Sequence, residues 1–122
     1  MGKTVFSIIP DPTFSAVVDI PLPGGAKAPM TVIYKHLPSD QWAALWERCS
    51  KAKTVNDEAE ALIEQILHGW EGVEDASGPL EFNADNLATV FKNFPGAAGA
   101  ILASYPAAMQ GALLGNSKGR LA

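Results

Sequence analysis

Apolar residues at Phe14, Ala16, Val18, Ile20 and Leu22 alternate with mostly polar neighbours, the two-residue period of a strand with one buried face. Val17 interrupts strict alternation without changing that assignment. Pro23-Gly24-Gly25-Ala26 follows, joining one fixed φ to two permissive residues, a chemistry that reverses a chain. Met30 to Leu37 (MTVIYKHL) is again rich in β-branched and aromatic residues, as strands are. The two runs predict an antiparallel hairpin. Val5 to Ile9, ahead of the Pro10-Asp11-Pro12 break, is a candidate third strand, and three strands are more stable than an isolated hairpin.

From Ser39 the period changes. Trp42, Leu45, Trp46 and Cys49 follow i, i+3, i+4, i+7, predicting a helix with Ser39 as N-cap and Cys49 on its inner stripe. Thr54-Val55-Asn56-Asp57 matches a helix-start signal, and Ala59, Leu62, Ile63, Ile66 and Leu67 trace a second stripe, with Glu58, Glu60 and Glu64 on the outer face. Gly69 should end this helix, placing His68 at its last turn, where an imidazole can cap carbonyls. Gly69 to Phe82 reads mostly as an acidic, glycine-rich loop anchored by Trp70, Val73, Leu80 and Phe82. Asn83 should cap a third helix carrying Leu87, Val90, Phe91 and Phe94.

The stretch from Phe91 to Arg120 has no charged residue between Lys92 and Lys118, so it could be a membrane span, a core helix or a partner surface. Spanning needs about 20 predominantly apolar residues. Pro95 to Leu114 has that length but is filled largely by Ala and Gly, which gain little from burial. No membrane span is expected. Pro95 suits a first helical turn and Ala favours helix, while Pro106 should kink or split the segment. Gly111 and Gly115 form a GxxxG, weak evidence outside an apolar span. The predicted fold class is α+β in a single domain, 1–122. A small β-rich part, 1–38, precedes a helical part of about four helices, 39–114, and a flexible tail, 115–122.

The formal charge of −4 and the lack of a basic run argue against nucleic-acid binding. From Asp57 to Asp85 every charged residue is acidic. Such runs are commonly solvated faces, and these lack the spacing of a calcium loop. The single cysteine cannot form an internal disulfide, and the amino terminus has no secretory pattern; both fit a reducing cytoplasm. Phosphate-loop, zinc-protease, dithiol and serine-hydrolase motifs are missing from the sequence, so no catalytic, cofactor or metal residue is assigned and a non-enzymatic binding role is expected.

Gly69-Trp70, Glu81 to Leu87 (EFNADNL), Asn93 to Ala98 (NFPGAA), Ala100-Ile101 and Tyr105 occur in an order and spacing that resemble the tail assembly chaperones of long-tailed bacteriophages. Pro10 to Phe14 and the Pro-Gly-Gly turn extend the resemblance over nearly the full chain. Two departures stand out: a longer acidic insert, Gly72 to Pro79, and the uncharged Ala107 to Gln110 in place of a more charged helical end. The resemblance implies a protein of the host bacterial cytoplasm, absent from the mature virion. It would bind the tape measure protein, keep it soluble and promote tube assembly around it. It further implies contact with the major tail tube protein through a frameshift-extended form; self-association is another candidate interaction. The predicted client-facing set is Phe94, Ile101, Leu102, Tyr105, Met109 and Leu113; the alternative is that these residues form the domain's own core or a self-association surface. A competing role is a structural tail component, either a tail terminator or a tube-associated protein retained in the virion.

Overall fold

The structure is a computed structural model that describes residues 13–111. Its hairpin pairs β1 (Thr13–Pro21) with β2 (Lys27–Lys35) in antiparallel register, Phe14 opposite Tyr34 and Ala16 opposite Val32. The turn closes through hydrogen bonds from the Leu22 amide to Ala26 O (2.8 Å) and from the Gly25 amide to Leu22 O (3.1 Å). Gly24 and Gly25 both have positive φ, 92° and 99°, a region that costs other L-residues about 1–2 kcal/mol. The alternation survives folding: Ala16, Val18 and Ile20 are buried, and Ser15 and Asp19 are exposed.

Among the described residues the sheet has three strands in the order β1-β2-β3, the third being β3 (Leu67–Glu71), antiparallel to β2. The candidate strand Val5 to Ile9 lies outside the described residues. A strand at Leu67–Glu71 corrects the sequence reading of Leu67 and His68 as a helix end. The preceding helix, α2 (Val55–Gln65), stops at Ile66 because the end of β2 captures its last carbonyls. The Lys35 amide donates to Ile66 O (2.6 Å), and Lys35 Nζ donates to Ile63 O (2.6 Å) and Glu64 O (3.3 Å). A cation on a helix carboxyl end is favourable. His68 therefore points out from a strand, exposed, with no capping role at that helix end.

A 3-10 turn, Ser39–Gln41, leads into α1 (Trp42–Ser50). Ser39 starts that turn and is not the N-cap of α1, which is Gln41 without a side-chain cap bond. Thr54 and Asn83 do cap their helices: Thr54 Oγ1 accepts from the Asp57 amide (3.0 Å), and Asn83 Oδ1 from the Asn86 amide (2.8 Å) at the start of α3 (Ala84–Asn93). Between β3 and α3 the acidic segment forms a small hairpin, β4 (Glu74–Asp75) with β5 (Gly78–Pro79). Trp70 anchors it by donating from Nε1 to Leu80 O (2.9 Å) and meeting Phe82 edge-on at 5.1 Å.

The final described helix, α4 (Ala97–Met109), runs through Pro106 unbroken. Its amino end abuts the end of β1: a Cβ on Gly96 would lie 3.0 Å from Pro21 Cγ. Its carboxyl end reaches Phe14, whose ring centre is 5.9 Å from that of Tyr105. The helix thus lies along β1 over the inner face of the sheet, with α2 and α3 closing the same core. Leu62, Ile66, Leu87, Ile101 and Tyr34 are completely enclosed, and full burial of each large aliphatic side chain contributes about 1.5–3 kcal/mol.

Candidate functional site

The predicted client-facing residues are divided by α4. Ile101 and Leu102 are buried, at 0% and 7% exposure, and Tyr105 at 3%. They face the sheet because α4 is the element that covers β1, so their stripe is committed to the domain's own core. In this conformation a client cannot reach Ile101 or Leu102, and aspartate at position 101 would disrupt folding before it tested binding. Phe94 is half-buried, Met109 is 41% exposed, and Leu113 lies outside the described residues.

Two open apolar clefts lie at opposite ends of α4. The first, about 260 Å³, is floored by Ile20, Leu22, Met30, Val90 and Phe94 and edged by Val73, Glu74, Asp75 and Leu80. The second, about 440 Å³, lies where the end of β2, the start of α1 and the end of α4 meet. Leu37, Pro38, Trp42, Tyr105, Pro106 and Met109 supply its apolar lining, with no Lys, Arg, Asp or Glu. Trp46, 46% exposed, lies beside Trp42 with ring centres 6.0 Å apart. Trp46 and Met109 are the two exposed large hydrophobic residues among those described, and both belong to this end of the molecule.

An aromatic cluster that includes Trp42 and Tyr105 forms part of the wall of the second cleft. Tyr105 stacks on Trp42 (5.3 Å, 14°) and meets Tyr34 edge-on (5.0 Å, 81°). Its hydroxyl donates to Lys35 O and accepts from the Leu37 amide, both at 2.7 Å. Two backbone groups, one on the last residue of β2 and one two residues further on, are thereby bonded by one side chain from α4. Tyr34 answers from the sheet, donating to Ile101 O at 2.6 Å. Burial raises both phenol pKa values above the ordinary range; for Tyr34 the neighbouring Tyr105 adds to the effect, and for Tyr105 the Leu37 amide opposes it. Both hydroxyls therefore stay protonated and remain donors at neutral pH.

The spacing of Trp46 predicts a place on the inner stripe of α1, whereas the side chain stands outside. The four positions of that stripe span a wider arc than α1 buries, and only Leu45 and Cys49 are buried. Two tryptophans within one helical turn were the sequence signal for this surface. The Cys49 thiol is pushed up first by burial and then by the negative charge of Glu58, consistent with a small apolar filler. No group of three or more metal-ligating side chains is assembled among the described residues, and none of their helices is long and apolar enough to cross a membrane.

A three-stranded sheet closed by helices, with two apolar clefts and an aromatic surface at one end, defines a small α+β protein whose prominent features are suited to contact with other chains. The family model described as phage tail assembly chaperone matches residues 1–116, and the chain belongs to that family. It is a bacteriophage protein of tail assembly. No match was found among curated proteins or among solved structures.

Proposed function

We propose that the chain is a non-enzymatic chaperone that binds the tape measure protein, keeps it soluble in the host cytoplasm and promotes tube assembly around it. The observation that carries this reading is the second cleft with its exposed margin, Trp42, Trp46, Pro106 and Met109, in a member of the tail assembly chaperone family. A tape measure protein forms long amphipathic helices, and an apolar helix face is held by insertion of its side chains into a groove. Aromatic residues and methionine are suited to that contact, the first by area and the second by adaptability. Ile101 and Leu102 are buried in the core, and Tyr105 and Met109 are the members of the predicted set that line the cleft. Contact with the tube protein through a frameshift-extended form belongs to the same proposal.

Purified chain titrated with overlapping segments of the tape measure protein should bind at least one, and Trp46→Asp with Met109→Asp should abolish that binding in a protein that stays folded. Unchanged binding in that double variant would move the interface elsewhere. Mass spectrometry of purified tails separates the chaperone from a structural component: the chaperone is absent, whereas a terminator or tube-associated protein remains.

A further inference from the structure

The first cleft differs from the second in its charge. Its apolar floor is edged by Glu74 and Asp75, and no Lys or Arg lines it. Both carboxylates are exposed, and Asp75 Oδ1 accepts only a turn hydrogen bond from the Ser77 amide (2.8 Å). Among the described residues the ion pairs are Arg48 with Glu64 and Lys51 with Glu47, so neither rim carboxylate is neutralised by the fold. Lys27 precedes Ala28 and Lys92 precedes Asn93, two lining residues, yet neither lysine lines the cleft or pairs with an acid there. The rim is held in place: the Leu80 amide donates to Val73 O (2.8 Å), and Trp70 holds the Leu80 carbonyl.

We infer that this cleft is a second docking site, for a segment of a partner protein that places a bulky apolar side chain on the Leu22, Met30 and Phe94 floor and a Lys or Arg beside Glu74 and Asp75. Charge complementarity commits the occupant to basic chemistry, since an acidic segment would meet two uncompensated carboxylates at the mouth, where the other polar lining residues, Thr89 and Asn93, are neutral. This rests on the reading of the chain as a binding protein for tail components and adds the chemistry of the segment it selects. Rim charges of this kind act on association and selectivity, and are weakened by salt.

The test uses two synthetic amphipathic peptides with the same leucine face, one carrying lysines on the polar face and the other glutamates, titrated into the full chain at low salt with backbone amide shifts as readout. The lysine peptide should bind roughly tenfold more tightly, given two exposed pairs each of modest strength. Its shifts should fall on Val73, Leu80 and Val90, and the variant E74K/D75K should reverse the preference. Equal affinities, shifts confined to the Trp42 and Met109 end, or an unaltered preference in the double variant would overturn the inference. The same variant retaining the tape measure protein as well as wild type, with unaltered peptide preference, would remove this site and leave the proposed function standing. If wild type fails to hold the tape measure protein, the function falls and the peptide titration still decides the cleft.

Discussion

Tyr105→Phe should destabilise the fold more than Tyr34→Phe, although each removes one hydroxyl from the same aromatic cluster. The Tyr105 hydroxyl serves two backbone groups, accepting from the buried Leu37 amide and donating to Lys35 O, both at 2.7 Å. Phenylalanine keeps the stacking on Trp42 and the edge contact with Tyr34 but leaves both backbone groups without that partner. An unsatisfied buried polar group costs about 1–3 kcal/mol, so two amount to roughly 2–6 kcal/mol, nearer the lower end because Lys35 is only partly buried. Tyr34→Phe removes one donor from Ile101 O, a carbonyl that the α4 ladder also pairs with the Tyr105 amide. Its cost should be about 1 kcal/mol. Urea unfolding reads both as a shift in midpoint at constant slope. A Tyr34→Phe loss equal to or greater than that of Tyr105→Phe would refute the idea that Tyr105 is the bond that fixes α4 to the sheet end.

Met109→Asp and Trp46→Asp, at exposed positions, should each change unfolding stability by no more than about 0.5 kcal/mol by denaturant titration while weakening client binding. Leu62→Ala, at a completely enclosed site, should cost about 2–5 kcal/mol in the same measurement. Gly24→Ala meets no neighbouring atom but must adopt φ near 92°, so its loss should be about 1–2 kcal/mol from backbone strain alone. Two glutamates of α2 should respond to acid with opposite signs. The Arg48 hydrogen bond lowers the Glu64 pKa, so its stabilisation is present above the unfolded carboxylate range and is lost as pH falls through the folded value. Burial raises that of Glu58, so folding becomes more favourable as pH falls through its range. Comparing Glu64→Gln and Glu58→Gln by unfolding across acidic pH should show the first removing an acid-induced loss and the second removing an acid-induced gain.

The hairpin was legible because period-two alternation and the Pro-Gly-Gly turn both act locally. The stripes of α2 and α3 and the caps Thr54 and Asn83 were legible for the same reason. β3 was not, because Ile66 and Leu67 continue the apolar spacing of α2 and the signal that stops the helix is Lys35, far away in sequence. Gly69, read as a helix stop, is a buried strand residue opposite Ile33, where a Cβ would make only an ordinary contact, 3.5 Å from Ile33 Cδ1. Pro106 did not split α4, since packing along β1 and the two tyrosine hydroxyls hold the turn before it, and Ala108 is buried after it. An apolar helical stripe does not reveal whether it meets a core or a partner, and Ile101 and Leu102 met the core. The first cleft arises where the hairpin meets α3 and the acidic segment, and the second where the end of α4 meets the start of α1, tertiary events without a local pattern.

The most direct measurement is co-expression of this chain with the tape measure protein of the same phage, scored by the soluble fraction of the latter and its co-purification. Wild type should hold the tape measure protein in solution as a complex, and the folded variant carrying Trp46→Asp and Met109→Asp should not. Aggregation of the tape measure protein in the presence of well-folded wild type would contradict the proposed function.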